Sequence, residues 1–239
     1  QLALLPVTNR FMYLEEGDIA KITRDKVSVY ADGVEVSRKI NEIDAQQHNA
    51  DKGEFKHYML KEIYEQPDAV SRTLEMALES TVSNEQIDDD AKNSYQLKAD
   101  FLQRHESKLA GIRHIQVIAC GTSYHAGMVA KYWFENLTRL PCSVEVASEF
   151  RYRNPVVIDH SLVICISQSG ETADTLSALS DTQKQAPTGL VSLALCNVPT
   201  SSLVRETDIY LPTYAGPEIG VASTKAFTTQ LVALMLLVL

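Results

Sequence analysis

Two stretches of this chain follow the same pattern: a continuous apolar run, a short hydroxyl-rich loop and then an apolar-periodic run. In the first, residues 115–120 are followed by Gly121-Thr122-Ser123 and by a helical run to about Thr138. In the second, Leu162–Ile166 leads into the loop Ser167-Gln168-Ser169-Gly170-Glu171-Thr172. Continuous apolar runs of this kind are typical of parallel strands that are covered on both faces. The pattern therefore predicts two strand–loop–helix units.

The rest of the C-terminal half repeats this alternation of strands and helices. Further short apolar runs predict three more strands, at residues 144–147, 189–196 and 209–211. Strands that alternate with helices predict an α/β fold, here a doubly wound parallel five-stranded sheet with flanking helices and right-handed crossovers. Because the carboxyl ends of parallel strands meet at one edge, we expect both hydroxyl-rich loops to face one ligand there.

The N-terminal part has a different pattern. Strand-like runs at residues 10–14, 19–23 and 27–30, separated by turn residues, predict a small antiparallel meander. Three short strands bury little surface, so we expect them to belong to a larger sheet. A polar segment follows at residues 41–53 and is interpreted as a linker.

Residues 56–110 are predicted to be helical. Periodic runs predict helices over residues 56–66, where Pro67 ends the first, over 69–79 and over 95–109. Residues 83–90 are interpreted as a solvated acidic turn rather than a metal site, because consecutive aspartates cannot converge on one ion as alternating ones do.

The two hydroxyl-rich loops suggest binding of phosphate. A helix N-terminus carries unsatisfied N–H groups and partial positive charge, so it attracts anions, and Ser and Thr hydroxyls can add further donors. The alternative for one such loop is an ordinary turn with an N-cap. Neither loop has the Gly-Lys-Ser/Thr of a P-loop or the glycine spacing of a dinucleotide site, which argues against nucleoside triphosphates and NAD.

Composition excludes several other classes of function. The net charge of −9 argues against nonspecific nucleic-acid binding. The four cysteines show no C-x-x-C spacing and the six histidines no metal-like spacing, so we expect a reducing cytoplasm, no disulfide and no metal. The terminal apolar run, residues 231–239, is too short to span a bilayer. The chain starts at Gln1 in mid-pattern and stops inside this run, so we expect a piece of a longer protein.

Several motifs together resemble a known family. Cys120-Gly-Thr-Ser, the Ser167–Thr172 loop and the segment Glu218–Gln230 are similar to those of sugar isomerase (SIS) domains. More narrowly they resemble the isomerising glutamine:fructose-6-phosphate amidotransferases, as do Ser148–Tyr152 and Lys61–Pro67. The segment Cys196–Pro199 also fits this family, and the resemblance covers nearly the whole chain.

The resemblance implies a division of the chain into four parts. Residues 1–45 would be the last strands of a glutaminase domain, 46–55 a linker, 56–110 the helical start of the isomerase domain and 111–239 its first SIS domain. The implied reaction converts glutamine and fructose 6-phosphate into glutamate and glucosamine 6-phosphate, with ammonia passing between domains and without cofactor or metal. Glutamine would be used only by the glutaminase part outside this chain, and the resemblance also implies a homodimer.

The resemblance also implies a set of ligand contacts. Phosphate contacts are expected from Ser123, Ser167, Gln168, Ser169 and Thr172, and sugar contacts from Cys120, Gly121, Thr122, Val221 and Ser223. The alternative for Ser223 is an N-cap of the last helix. No residue is assigned a catalytic role, and Glu218 is kept as a candidate for proton transfer. Cys120 is not expected to be a nucleophile, since the pattern offers no nearby base, and Lys225 is expected to be structural.

Two alternatives remain at this point. One is a SIS sugar-phosphate sensor attached to a DNA-binding domain, which would need a basic helix-turn-helix segment that residues 1–110 do not show. The other is a different SIS enzyme, such as a sugar-phosphate isomerase or deaminase. The glutaminase-like first segment argues against this second alternative.

Overall fold

The structure is a computed structural model, which describes residues 7–42, 52–80, 95–99 and 105–239. The chain forms two compact units that divide after Asp51. Among the described residues, no helix is both long and apolar enough to cross a bilayer.

The first unit consists of short antiparallel strands, as predicted. They are β1 (Arg10–Met12), β2 (Ile19–Ile22), β3 (Val27–Ala31), β4 (Val34–Val36) and β5 (Ile40–Glu42). β2, β3 and β4 form one sheet, in which Asp32 and Gly33 join β3 to β4 with the positive φ angles that a two-residue hairpin needs. The predicted meander is wrong about its first strand, because β1 pairs with β5 and not with β2. Neither β4 nor β5 was predicted from the local pattern.

The second unit begins with a helical segment. It contains α1 (Tyr58–Tyr64), α2 (Gln66–Glu75), β6 (Leu78–Ser80), β7 (Tyr95–Leu97) and α3 (Glu106–Leu109). Both of the first two predicted helices are present, but Pro67 does not end the first, and the second ends at Glu75 because Leu78–Ser80 forms β6. Pro67 lies in the first turn of α2, where the missing N–H of proline has no helical partner to lose.

The predicted helix over residues 95–109 is wrong at its start. Tyr95–Leu97 is a strand, and it pairs with β6 in antiparallel register. The backbone N–H and C=O groups of this strand are hydrogen-bonded to β6. A partner so far away in the chain cannot be recognised from local periodicity. The acidic turn at 83–90 and most of the predicted linker, residues 46–51, lie outside the described residues.

The C-terminal part contains the predicted parallel sheet. Its strands are β8 (His114–Ala119), β9 (Cys142–Val146), β10 (Ser161–Ser167), β11 (Val191–Cys196) and β12 (Ile209–Pro212). The order is β12-β11-β10-β8-β9, and every neighbouring pair is parallel. The predicted fold class, a doubly wound five-stranded sheet, is therefore confirmed.

Helices cover both faces of this sheet. They are α4 (Gly121–Trp133), with a π-helical turn at Phe134–Thr138, α5 (Ala147–Arg153), α6 (Ala173–Lys184), α7 (Ser202–Arg205) and α8 (Lys225–Val238). Ile164 and Ile166 of β10 pack in the cluster that includes α4 and α8, and Val163 and Cys165 pack with α5, α6 and α7. This alternation explains why β10 is a continuous apolar run.

The last helix is connected to the first ones by an ion pair. α8 packs against α2 and α4. In its first turn, Lys225 is 3% exposed, and its Nζ lies 2.6 Å from Oε2 of Glu65, which lies between α1 and α2. Next to this pair, the hydroxyl of Thr228 donates to Oε1 of Gln66. These contacts join segments that are about 160 positions apart in the chain.

The Glu65–Lys225 pair predicts a pH dependence of stability. Burial tends to raise the pKa of Glu65, but the hydrogen bond and charge of Lys225, with the charge of Lys61, outweigh it, so the pKa lies below the usual 4.5. Such a group contributes stability above the unfolded pKa, and this contribution is lost as the pH falls through the folded value. We expect Lys225→Met to lower the free energy of unfolding by about 1–3 kcal/mol at neutral pH.

The same substitution should reduce the loss of stability on acidification. Urea denaturation followed by circular dichroism, at neutral pH and at about pH 3, measures this difference for both proteins. Wild type should lose more unfolding free energy between the two conditions than Lys225→Met. An equal loss in both proteins would contradict a stabilising role for the pair.

Candidate functional site

The two hydroxyl-rich loops start from neighbouring strands at the point where the direction of winding reverses. From β8 the chain moves to β9 on one side, then returns to β10 on the other side and continues outward. Ala119 of β8 is paired with Ile166 of β10, so the two loops leave the sheet side by side. In open α/β sheets, this switch point is where ligands bind.

The loop after β10 is shaped by its own hydroxyls. The Ser167 hydroxyl accepts a hydrogen bond from the Gly170 N–H at 3.0 Å and lies 2.9 Å from the Thr172 hydroxyl. The Ser169 hydroxyl accepts one from the Glu171 N–H. Ser167 is buried, Gln168 half-buried and Ser169 exposed. The loop thus has a fixed inner side and an open outer side that a ligand can reach.

Gly170 holds this loop against β11 and α7. Its φ of +67° is rarely adopted by other residues, and a Cβ there would clash with the side chain of Ser201 and approach the Cys196 Sγ to 2.8 Å. The Gly170 carbonyl accepts a hydrogen bond from the Leu203 N–H at 3.1 Å. The loop is therefore packed closely against the end of β11 and the start of α7.

The N-terminus of α6 lies directly after this loop. Thr172 is its N-cap, and no side chain caps the helix, so the first-turn N–H groups have no side-chain acceptor. Asp174 in this turn is paired with Arg151 at 3.4 Å, which offsets its negative charge. The loop's own acid, Glu171, accepts a hydrogen bond from the Ser202 N–H at 2.8 Å. The remaining groups of the loop are neutral hydroxyls and backbone donors, which suit an anion.

In the part of the chain that the structure describes, two buried polar side chains have an atom that lacks a hydrogen-bond partner, and the sequence analysis assigned neither of them a role. Among the residues that the structure describes, Thr175 Oγ1 and Gln230 Oε1 are the buried side-chain atoms without a hydrogen-bond partner. Thr175 is 1% exposed in the first turn of α6. The sequence shows that Thr175 is a second hydroxyl residue one helical turn after Thr172, but it does not show that the Thr175 side chain is buried.

The loop after β8 is shorter, and it too leads from a strand through hydroxyl residues into a helix N-terminus. Cys120 is the N-cap of α4, and Gly121 begins the helix with φ +57°. Thr122 is exposed and Ser123 is buried in the first turn. The sheet thus brings together the eight predicted contacts from Cys120–Ser123 and from Ser167, Gln168, Ser169 and Thr172.

The third predicted loop leaves β12, which lies two strands away from β10. Asn197, which follows β11, donates to the Gly216 carbonyl at 2.8 Å and accepts from the Ala215 N–H at 2.8 Å. The start of this loop is therefore held at the carboxyl end of β11. Within it, Val221 is fully exposed and Ser223 is half-buried.

Glu218 caps α8 in this structure. Its Oε1 accepts hydrogen bonds from the N–H groups of Thr224 at 2.8 Å and Ala226 at 3.1 Å, and its Oε2 accepts one from the Ser223 hydroxyl at 3.1 Å. The N-cap residue is Thr224 and not Ser223. A proton-transfer role for Glu218 stays a prediction, and the observed bonds are those of a helix cap.

The second residue that fixes this loop, Glu62 of α1, was missed by the sequence analysis. Glu62 is 2% exposed, and its Oε1 accepts hydrogen bonds from the N–H groups of Ile219 at 2.6 Å and Gly220 at 3.0 Å. Its Oε2 lies 3.2 Å from the Gly220 N. The resemblance of Lys61–Pro67 to a family motif was the only signal, and it carried no information about a partner.

Other chemistry is limited in the described chain. Within residues 7–42, 52–80, 95–99 and 105–239, no three His, Cys, Asp or Glu side chains are grouped closely enough to hold a metal ion. The four cysteines are free, and burial raises the pKa of Cys165 to about 12, so this thiol stays protonated. Two clefts of about 470 and 250 Å³ lie beside Tyr210 and Phe150. Neither cleft is lined by a predicted contact residue.

Comparison with known proteins agrees with this geometry. The family model described as the SIS domain matches residues 108–239. The chain is 62% identical over 242 residues to the glutamine–fructose-6-phosphate aminotransferase (isomerizing) of Acinetobacter baylyi and 53% identical over 239 residues to that of Escherichia coli K12. Each alignment covers the whole of this chain and 37% of the relative. The chain thus spans well under half the length of these relatives.

A solved structure has the same fold at high sequence identity. It is the C-terminal domain of glucosamine-fructose-6-phosphate aminotransferase from Francisella tularensis, 52% identical to this chain with a TM-score of 0.65. The match covers 80% of this chain and 48% of that one.

The packing of Gly170 gives a test of the loop. Gly170→Ala should lower the free energy of unfolding through both backbone strain and the clash with Ser201, by about 2–4 kcal/mol. Gly111→Ala is the matched control, because Gly111 also has positive φ, +90°, but has nothing within 4 Å of a new Cβ. Urea denaturation should show a clearly larger loss for Gly170→Ala, and equal losses would contradict the close packing.

Proposed function

The chain belongs to the SIS domain family, and from this premise we propose that its sheet-edge loops bind fructose 6-phosphate and glucosamine 6-phosphate. The observation that carries the proposal is the loop Ser167–Thr172 at the uncapped N-terminus of α6, at the switch point of the sheet. Backbone N–H groups and hydroxyls there suit a phosphate group. Because no lysine or metal is needed, the ligand can also be released.

The sugar would lie beside the phosphate, against the other two loops. Cys120, Gly121 and Thr122 flank the phosphate loop on β8, and the loop that carries Val221 and Ser223 follows β12. Hydroxyl and amide groups from neighbouring loops suit the several hydroxyls of a sugar. In this proposal, the chain supplies binding groups, and no residue of it is assigned to the bond-breaking steps.

The proposal for the longer protein is an isomerising amidotransferase. It would transfer the amide nitrogen of glutamine to fructose 6-phosphate and yield glucosamine 6-phosphate and glutamate. The support is that relatives with this name are 53–62% identical over the whole chain. The sensor alternative and the other SIS enzymes are not favoured for the same reason. A homodimer and a cytoplasmic location are proposed from the resemblance alone.

Calorimetry tests the proposed binding. Titration of glucosamine 6-phosphate and of fructose 6-phosphate into the chain should give saturable heat, and Ser169→Ala should weaken binding by about 1–3 kcal/mol, the usual contribution of a hydrogen bond to a charged group. Ser180→Ala is the matched control, because Ser180 lies farther along α6, and it should bind as wild type does.

Two outcomes would contradict the proposal. One is binding that Ser169→Ala leaves unchanged, which would place the phosphate elsewhere. The other is absence of binding by wild type, both in this chain and in the longer protein that contains it.

A further inference from the structure

The motif Lys61–Pro67 has polar side chains that face the other end of the chain. Glu62 accepts hydrogen bonds from Ile219 and Gly220, Glu65 pairs with Lys225 and Gln66 accepts from Thr228. We propose that Glu62 is a positioning residue for the sugar side of the site, because it fixes the loop that carries Val221 and Ser223. This inference rests on the proposed function, since it assigns a role within the same site.

The burial of Glu62 favours one position of the loop after β12. Its side chain is at the interior face of α1, and the residue is 2% exposed. A buried carboxyl group is costly unless its oxygens accept hydrogen bonds. The bonds that its oxygens accept come from backbone N–H groups of Ile219 and Gly220. A shift of this loop away from α1 would leave the carboxyl without these donors, so the loop is strongly favoured in its observed place.

Gly220 shows how closely the loop approaches α1. A Cβ at this position would lie 2.5 Å from Glu62 Oε2 and 3.4 Å from the Cα of Met59. A side chain at position 220 would therefore force either the Glu62 carboxyl or the loop backbone to shift. The carboxyl of Glu62 and the absence of a side chain at Gly220 therefore depend on each other, although 158 positions separate the two residues.

A second carboxylate fixes the other end of the same loop. Glu218 accepts hydrogen bonds from Ser223, Thr224 and Ala226, as described above. Between the two anchors remain Val221 and Ala222, which are both exposed. Both ends of the loop are thus held by hydrogen bonds, and only these two residues lie between them. Binding through Val221 and Ser223 would therefore cost little conformational entropy. Removal of the Glu62 anchor should therefore weaken contacts to the sugar and leave contacts to the phosphate in place.

The test compares two ligands on the same set of variants. Glucosamine 6-phosphate reports on both parts of the site, and inorganic phosphate reports on the Ser167–Thr172 loop alone. In calorimetric titration of the full chain, Glu62→Ala should bind glucosamine 6-phosphate at least tenfold more weakly and inorganic phosphate within twofold of wild type. Glu62→Gln keeps one oxygen acceptor and should recover part of the loss. Glu54→Ala, which removes an exposed glutamate, should match wild type for both ligands.

A double-mutant cycle separates positioning from general damage to the fold. Gly220→Ala alone should weaken glucosamine 6-phosphate binding, because the new Cβ meets the Glu62 carboxyl. In the Glu62→Ala background this clash is absent, so the two effects should combine to less than the product of the single fold-changes. Independent effects that multiply would overturn the role proposed for Glu62.

The remaining outcomes are also distinguishable. If wild type binds neither sugar phosphate, both in this chain and in the longer protein that contains it, the proposed function fails. If wild type binds and Glu62→Ala and Glu62→Gln bind both ligands as wild type does, the positioning role is wrong while the proposed function stands. If Glu62→Ala does not fold, the ratio of the two affinities in Glu62→Gln decides, and an equal loss for both ligands overturns the role.

Discussion

The structure depends on a group of polar contacts between the first helices of the second unit and the start of its last helix. Buried carboxyl groups are stable in a protein interior only when their oxygens find donors. The buried Glu62 finds them in the loop after β12, and the half-buried Glu65 pairs with the buried Lys225 of α8. Because each of these groups would be costly without its partner, α1 and α2 hold the third loop and α8 in one arrangement with the sheet.

The parallel sheet determines where the two hydroxyl-rich loops lie. Its winding reverses between β8 and β10, so two loops of the same chemistry emerge side by side and precede two helices. The hydroxyls of Ser167 and Thr172 are hydrogen-bonded within their own loop. The shape of this part of the site therefore exists before a ligand arrives, and binding does not have to order it.

Most of the sheet and two of the three loops could be predicted from the sequence, because each of them is determined by the pattern of consecutive residues. The apolar run of β10 and the loop after it are one example, and the start of α4 after β8 is another. Contacts between distant segments could not be predicted in this way. No local pattern relates Glu62 to Gly220, or pairs Tyr95–Leu97 with β6. Glu218 shows a third limit, since the sequence cannot tell an acid that caps a helix from one that moves a proton.

The contact between Glu62 and Gly220 also has a consequence for how the protein is made. A chain is synthesised from its N-terminus at about 5–20 residues per second, and its N-terminal parts can fold first. The 158 positions between the two residues then correspond to roughly 8–30 s at that rate. During this interval α1 and α2 have been synthesised but their partners in the third loop and α8 have not. The carboxyl of Glu62 must stay hydrated until then, so the second unit completes its packing only after its last helix has emerged.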